Sequence, residues 1–321
     1  MMNTLTALEQ LDMTDKIVGS MATFPARFNI LPKVIASIID QVDYLFVYVN
    51  QSDTLPDCLN HPKIYAFLGT EHAGDLSANG KVYALKYVQQ SIFFTLDDDL
   101  IYPADYVDRM HATLQAFHYQ VGVSIHASIF SPDLSWYYER SSFYGLRMSL
   151  SEHKLVTLIG SGGFCYHQKH LQCNWADFAD EVRVDITYSA LAKAQKIPLL
   201  CIQRPADWIQ FYDLPGLWHQ FGKQLSHHTD YCCAQQHWDF ETHRTLVKDF
   251  FQRTFGYFDA ELARQLAFDS DVTDAILHDT TPITWWRGVP SFRGRRDYLR
   301  IRTGVTTWKQ RVGRWLSKRP L

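Results

Sequence analysis

No apolar run in this chain approaches the ~18–20 residues needed to cross a bilayer, so any membrane contact is expected to be peripheral. Cysteine is sparse and unpatterned. Cys58, Cys165, Cys173, Cys201, Cys232 and Cys233 form no CxxC pair and no zinc spacing, and adjacent Cys232 and Cys233 are poorly placed to bridge each other. Scattered, reduced thiols suit the cytosol. The first sixteen residues are polar, with acids at Glu9, Asp12 and Asp15, and lack the basic-then-apolar layout of a signal peptide. A Walker sequence, a GxGxxG, an internal repeat and a low-complexity linker are all missing as well. Acids almost vanish from one stretch: residues 281–321 hold eleven Lys and Arg against Asp297 alone, which leaves 20 basic and 33 acidic residues elsewhere. The net charge of -3 therefore hides an acidic body with a basic tail, a layout suited to an anionic surface.

What is present is core material. With 321 residues, 46% of them hydrophobic and 14% aromatic, the chain can form one large α/β domain with an appendage or two modest domains. Residues 17–21, 44–49, 64–67 and 92–96 read as strands, with a helix from 31 to 39 whose Pro32 is tolerable only in the first turn. Gly80 and Lys81 open an expected amphipathic helix through Tyr83, Leu85, Tyr87 and Val88. Further expectations are a helix over 104–117, strands over 121–127 and 155–159, an irregular aromatic stretch over 131–152, a helix over 185–194 and a strand over 198–202. Strands and helices alternating at this cadence indicate βαβ units and a largely parallel sheet.

The strand at 92–96 ends in three consecutive carboxylates, Asp97, Asp98 and Asp99. They repel one another unless a cation or cationic partner sits among them. If the extended conformation persists, Asp97 and Asp99 point one way and Asp98 the other. Hard oxygen donors at that spacing suit Mg²⁺ or Mn²⁺, which keep positions open for substrate phosphates. Capping of the helix that follows Pro103 accounts for one acid and not for three. Two other polar clusters, Thr23 to Arg27 and Asn50 to Asp53, also fall at strand carboxyl ends, where open parallel sheets gather ligands. Gly74, Asp75, Asn79, Gly80 and Lys81 form a glycine-rich turn before a helix, a place that favours anions. An ordinary solvated loop explains Asp75 and Lys81 equally well, and Arg27 is as well placed to pair with an acid as with a phosphate.

Taken together, Met21 to Arg27, Tyr48-Val49-Asn50, Gly74-Asp75 with Gly80-Lys81, and Thr95 to Pro103 resemble GT-A glycosyltransferases. The likeness is nearest to bacterial family-2-like enzymes of surface polysaccharide (capsule or lipopolysaccharide) assembly. Residues 158–162, Val184-Asp185-Ile186, Pro198, Arg204 and Trp208 extend it over roughly residues 16–210. The resemblance implies a GT-A α/β fold, Rossmann-like, with a mostly parallel sheet and helices on both faces. It implies that Thr23, Arg27, Asn50, Asp75, Lys81, Asp97 and Asp98 meet a nucleotide, as part of a nucleotide-sugar of the UDP type. It also implies that Asp97 and Asp99, with a downstream histidine (His228, or its neighbours His219 and His227), hold Mn²⁺ or Mg²⁺. Such a metal stabilises the charge that grows on the departing diphosphate.

Asp185 matches the position of the base that activates the acceptor hydroxyl in inverting relatives. An N-cap is its plainer role, Asp180 and Glu181 are rivals, and the usual Glu-Asp dipeptide is missing. His126 reads as a packed histidine. Trp136, Tyr137 and Tyr138 could stack on sugars, but core packing is the commoner use. In the tail, Trp308, Val312, Trp315 and Leu316 fall at helical spacing among Lys309, Arg311, Arg314, Lys318 and Arg319, the pattern of an interfacial helix on an anionic leaflet. Docking on the acidic body is the alternative, and no nucleic-acid-binding module accompanies the charge.

The expectation is a glycosyltransferase domain over 1–279 and a basic, helical, membrane-associating extension over 280–321. The enzyme would be cytoplasmic, on the inner face of the membrane, and would move a sugar to a membrane-held or lipid-linked glycan. Two rivals stand beside it. One is a haloacid-dehalogenase-type phosphotransferase using Asp97 and Asp99, although Leu100-Ile101 replaces the Thr or Val usual there. The other is a non-catalytic carbohydrate- or membrane-binding module.

Overall fold

The computed structural model describes residues 8, 11–130, 137, 139–179, 183–212 and 240–278. The expectations for Asp180, Glu181, His219, His227, His228, Trp136, Tyr138, Cys232, Cys233 and the extension over 280–321 lie outside the described residues. The strands in chain order are β1 (Ile17–Thr23), β2 (Tyr44–Val49), β3 (Ile64–Leu68), β4 (Ile92–Leu96), β5 (Leu100–Ile101), β6 (Gly122–Ser124) and β7 (Ala127–Phe130). They continue with β8 (Arg140–Tyr144), β9 (Lys154–Val156), β10 (Leu158–Ile159), β11 (Gly163–His167), β12 (Leu199–Cys201) and β13 (Gln210–Phe211). The α-helices are α1 (Leu31–Ile38), α2 (Tyr106–Ala116), α3 (Val184–Ala194), α4 (Phe240–Phe255), α5 (Ala260–Gln265) and α6 (Ser270–His278).

Eight strands form one sheet in the order β3-β2-β1-β4-β11-β6-β12-β9. The first four are mutually parallel, and β6 and β12 are parallel to each other. Only β11 and β9 run against the rest. Both faces are covered, which is why the parallel strands read as nearly continuous apolar runs. Period two sorts their side chains. Leu45, Val47 and Val49 of β2 join the core under α1, α2 and α4, whereas Phe46 and Tyr48 join the core under α3 and the segment 77–86. This is the mostly parallel α/β architecture with helices on both faces that the resemblance implies.

Five expectations change. The stretch 131–152, expected to be irregular, carries β8, which pairs with β7. The stretch 121–127 is two strands: β6 lies in the main sheet, and β7 joins β10 and β8 in a separate three-stranded sheet. The stretch 155–159 divides in the same way at Thr157, whose Oγ1 accepts from Phe130 N at 2.7 Å. The helix expected from Gly80 is a 3-10 helix, Ser77–Lys86, buried at every residue from Asn79 to Leu85, so it has no solvent face there to make it amphipathic. Finally, the glycine turn at 160–163 leads into β11, a fully buried strand that the sequence reading passed over.

Asp269 ties the C-terminal helices to the sheet. Its buried carboxylate accepts from Leu155 N at 3.1 Å and Lys154 Nζ at 3.2 Å at the start of α6. Cys58, Cys165, Cys173 and Cys201 are free thiols. Among the described residues, no helix is long and apolar enough to cross a membrane.

Candidate active site

The carboxyl ends of β1, β2 and β4 lie side by side, because Thr23 pairs with Val49 and Met21 with Leu96. That register brings the expected residues together. Thr23 and Asn50 are buried there, and Asn50 N donates to Thr23 O at 2.8 Å. The Asn50 side chain pins the next loop, with Oδ1 accepting from Leu76 N at 2.9 Å and Nδ2 donating to Ser77 O at 3.1 Å. Asp75 stands exposed on this loop, accepting from Gln51 Nε2 at 2.6 Å and Ser77 N at 2.9 Å. Its exposure is what a solvated loop requires and leaves it open to a ligand. The solvated-loop reading fails for Lys81, which is 6% exposed.

The acid triplet does not alternate. The strand ends at Leu96, and Asp98 and Asp99 occupy a turn before β5. Arg27 Nη2 donates to Asp99 Oδ2 at 3.2 Å, and Arg27 Nε stands 3.8 Å from Asp98 Oδ1. Lys81 Nζ bonds Asp97 Oδ1. Capping is not the acids' role either: the residue before α2 is Asp105, which makes no cap and instead accepts from Trp208 Nε1 at 2.9 Å. Burial pushes Asp98 up to about 7, helped by the neighbouring Asp99 and Asp97 charges. Burial and the Asp97 charge push Asp99 up to about 6. Burial alone would raise Asp97 too, but the Lys81 ammonium outweighs it and holds this carboxylate below its usual range. Among the described residues, Arg27 Nε and Nη1 have no hydrogen-bond partner, and neither do Thr23 Oγ1 and Asp98 Oδ2, although the Thr23 hydroxyl is close enough to pull the Asp98 pKa down.

The glycine turn at 160–163 meets this cluster from the far side. A Cβ on Gly162 would lie 2.0 Å from Asp97 Oδ2, and one on Gly160 would lie 1.8 Å from His126 Nε2, so only glycine allows these approaches. Ser161 Oγ is 3.4 Å from Lys81 Nζ, and Ser161 N donates to Asp185 Oδ1 at 2.9 Å. Asp185 is therefore not the cap of α3. It sits in the first turn and reaches across to the glycine turn, close enough for its charge to act on both Lys81 and His126. His126 packs as expected, and burial lowers its pKa. Its Nδ1, however, is buried without a partner. Tyr137 is core, edge-on to Phe130 at 6.2 Å.

Sequence reasoning missed Tyr102. Its buried hydroxyl accepts from Asp97 N and donates to Gly162 O, both at 2.8 Å, and so joins the triplet to the glycine turn. The signal was its place inside the Asp97 to Pro103 run, which was read only for its acids.

The donor chemistry fits a hard divalent cation: Asp98 Oδ2 is an orphaned buried acceptor beside Asp99. Asp97 fits less directly, because Lys81 holds one of its oxygens and the other lies against Gly162. Among the described residues, no group of three or more His, Cys, Asp or Glu is arranged to hold a metal.

No protein-family model matches the chain, and no curated protein does. Among solved structures it is similar to a glucosyl-3-phosphoglycerate synthase from Mycobacterium tuberculosis in complex with Mn²⁺, UDP-glucose and phosphoglyceric acid. Identity is 11%, TM-score 0.36, and the match covers 80% of this chain and 86% of that one. A likeness of this size carries no argument about the chemistry of this chain, which rests on the residues above.

Proposed function

We propose that the protein is a metal-dependent glycosyltransferase that takes a sugar from a nucleotide donor of the UDP-sugar class. One observation carries the reading. An acid triplet at the carboxyl end of a central parallel strand is joined, through Lys81 and the 160–163 turn, to a fourth carboxylate, Asp185. Asp98 and Asp99, with Asp97, would hold Mn²⁺ or Mg²⁺, which supplies Lewis-acid stabilisation of the leaving diphosphate. Thr23, Asn50 and Asp75 line the strand ends for the nucleoside, and Arg27 offers two nitrogens, Nε and Nη1, that have no hydrogen-bond partner among the described residues, to phosphate oxygens. Asp185 takes the proton of the acceptor hydroxyl as that oxygen bonds the anomeric carbon. The sugar–phosphate bond breaks on the opposite side, which is inversion, and the Ser161 N–H keeps the carboxylate aimed.

The phosphotransferase reading fares worse. It needs a free nucleophile, whereas Asp97 Oδ1 is bonded by Lys81 and Oδ2 rests on Gly162. A non-catalytic module leaves the Asp185 arrangement without a purpose.

The acceptor side of the proposal is a membrane-held glycan in bacterial surface polysaccharide assembly, reached by residues 281–321 lying on an anionic leaflet. The acidic body and basic tail support it, and co-sedimentation with anionic vesicles at low salt tests it. Protein that ignores such vesicles has a tail with another task. Calorimetry of UDP with Mn²⁺ tests the catalytic reading. Wild type is expected to bind and Asp99→Ala to lose Mn²⁺-dependent binding while staying folded. Unchanged affinity in that variant would overturn the assignment.

A further inference from the structure

Both buried cations of this site are already committed to its own carboxylates. Lys81, 6% exposed, bonds Asp97, and Arg27, 4% exposed, bonds Asp99 and reaches towards Asp98. The match is incomplete on both sides, since among the described residues Arg27 Nε, Arg27 Nη1 and Asp98 Oδ2 are buried without hydrogen bonds. Buried donors and acceptors left in that state are costly, and native structures generally give such groups a partner. Counting Asp185, whose charge reaches Lys81, four carboxylates stand against two cations, so the cluster stays net negative even with Asp98 protonated.

A divalent cation arriving alone meets carboxylates whose charge is largely neutralised, and it is repelled by two buried cations. A diphosphate arriving alone meets net negative charge. Arriving together they resolve the mismatch: the diphosphate oxygens accept from Arg27 and Lys81, and the released carboxylates face the cation.

We propose that in this chain the nucleoside diphosphate and the divalent cation bind as one unit by ion-pair exchange. Arg27 and Lys81 transfer from Asp97, Asp98 and Asp99 to the diphosphate. Lys81 is the principal guard: it holds Asp97 shut to free metal until an anion draws it away. The inference rests on the proposed donor site and adds to it a binding order, a rejection of free metal, and a named residue for each. Linkage requires the coupling to be reciprocal, so UDP must raise Mn²⁺ affinity by the same factor as Mn²⁺ raises UDP affinity.

Metal touching phosphate would by itself give positive coupling, so wild type alone does not decide. The sign in variants does. Calorimetry with Mn²⁺ alone, UDP alone, and each in the presence of the other is run on wild type, Lys81→Met and Arg27→Met, with thermal denaturation confirming that each is folded. Lys81→Gln replaces the methionine variant if that one does not fold. In wild type, Mn²⁺ alone is expected to bind at least about tenfold more weakly than with UDP, within the usual range of coupling. Lys81→Met should bind Mn²⁺ alone more tightly than wild type does, bind UDP alone more weakly, and show a smaller coupling factor. If removing either cation leaves Mn²⁺-alone affinity unchanged or weaker, the pairs do not guard the carboxylates and the proposal is wrong, even where UDP and Mn²⁺ bind well together. If wild type binds no combination of the two, the donor-site reading fails and this inference falls with it.

Discussion

Removing the same atom from two neighbouring tyrosines should have opposite effects. Tyr102 and Tyr106 are both buried, with ring centroids 4.7 Å apart. The Tyr102 hydroxyl accepts from Asp97 N and donates to Gly162 O, each at 2.8 Å. The Tyr106 hydroxyl is buried with no hydrogen-bond partner among the described residues. Tyr102→Phe strands two buried backbone groups, at about 1–3 kcal/mol each, and some relaxation brings the expected loss to roughly 2–5 kcal/mol. Unfolding entropy of about 2.1 cal/mol/K per residue turns this into a Tm drop of roughly 3–7 °C for a chain of this size. Tyr106→Phe deletes an unsatisfied group, so it should be neutral or stabilising by up to about 1 kcal/mol. Urea denaturation of both variants beside wild type, with slopes compared to confirm one transition, measures the difference. UDP affinity with Mn²⁺ should fall only for Tyr102→Phe, because only that hydroxyl joins the acid triplet to the glycine turn. Equal losses of stability in the two variants would refute the reasoning, since they would show that ring packing and not the hydroxyl network sets the cost.

Three further outcomes follow from the same geometry. Asp185→Asn keeps the shape and one acceptor for Ser161 N but cannot take a proton, so sugar transfer should fall about 10²–10⁴-fold with UDP binding preserved; near-normal transfer would assign the base elsewhere. Gly162→Ala forces a Cβ to within 2.0 Å of Asp97 Oδ2, so UDP·Mn²⁺ affinity should drop sharply, and an unchanged titration would mean that the carboxylate is free to move. Burial places Asp98 at about 7 and Asp99 at about 6, so protons compete with the cation and Mn²⁺-dependent UDP binding should weaken from pH 7.5 to 5.5. The metal-free protein should show the reverse sign: folded pKa values above the unfolded one stabilise at low pH, and that stability is lost as pH rises through 6 to 7. Comparing Tm of wild type with Asp98→Asn across this range isolates the effect, and parallel curves would contradict it.

Much of the parallel half was legible because buried parallel strands are uninterrupted apolar runs with polar ends. The runs at 17–21, 44–49, 64–67 and 92–96 could hardly be read otherwise, and the site clusters are the polar residues where those runs stop. The far half was harder. Gly163 to His167 follows glycines and ends in histidine, so nothing in its composition announced a central strand. Its identity comes from two neighbours, β4 and β6, far away in sequence. The breaks at His126 and Thr157 were invisible for the same reason, since they mark where strands pass from one sheet to another. The carboxylates were located correctly but their directions were not. Strand periodicity cannot foresee that Asp98 and Asp99 turn towards Arg27, or that Asp185 aims at an amide 24 residues upstream.

The position of β4 also has a consequence for synthesis on the ribosome. Residues 17–96 form four adjacent parallel strands, with β4 at the inner border of that group. Its remaining edge is closed by β11, which is complete only at His167. At about 5–20 residues per second, the roughly 70 intervening residues take some 4–14 s to appear. During that interval the nascent chain offers an uncharged strand edge, Ile92 to Leu96, that other chains can pair with. The acids immediately after it then act as gatekeepers, because a charged, hydrated cluster at the mouth of an open edge, even with Arg27 and Lys81 paired to it, discourages a second copy from adding to it.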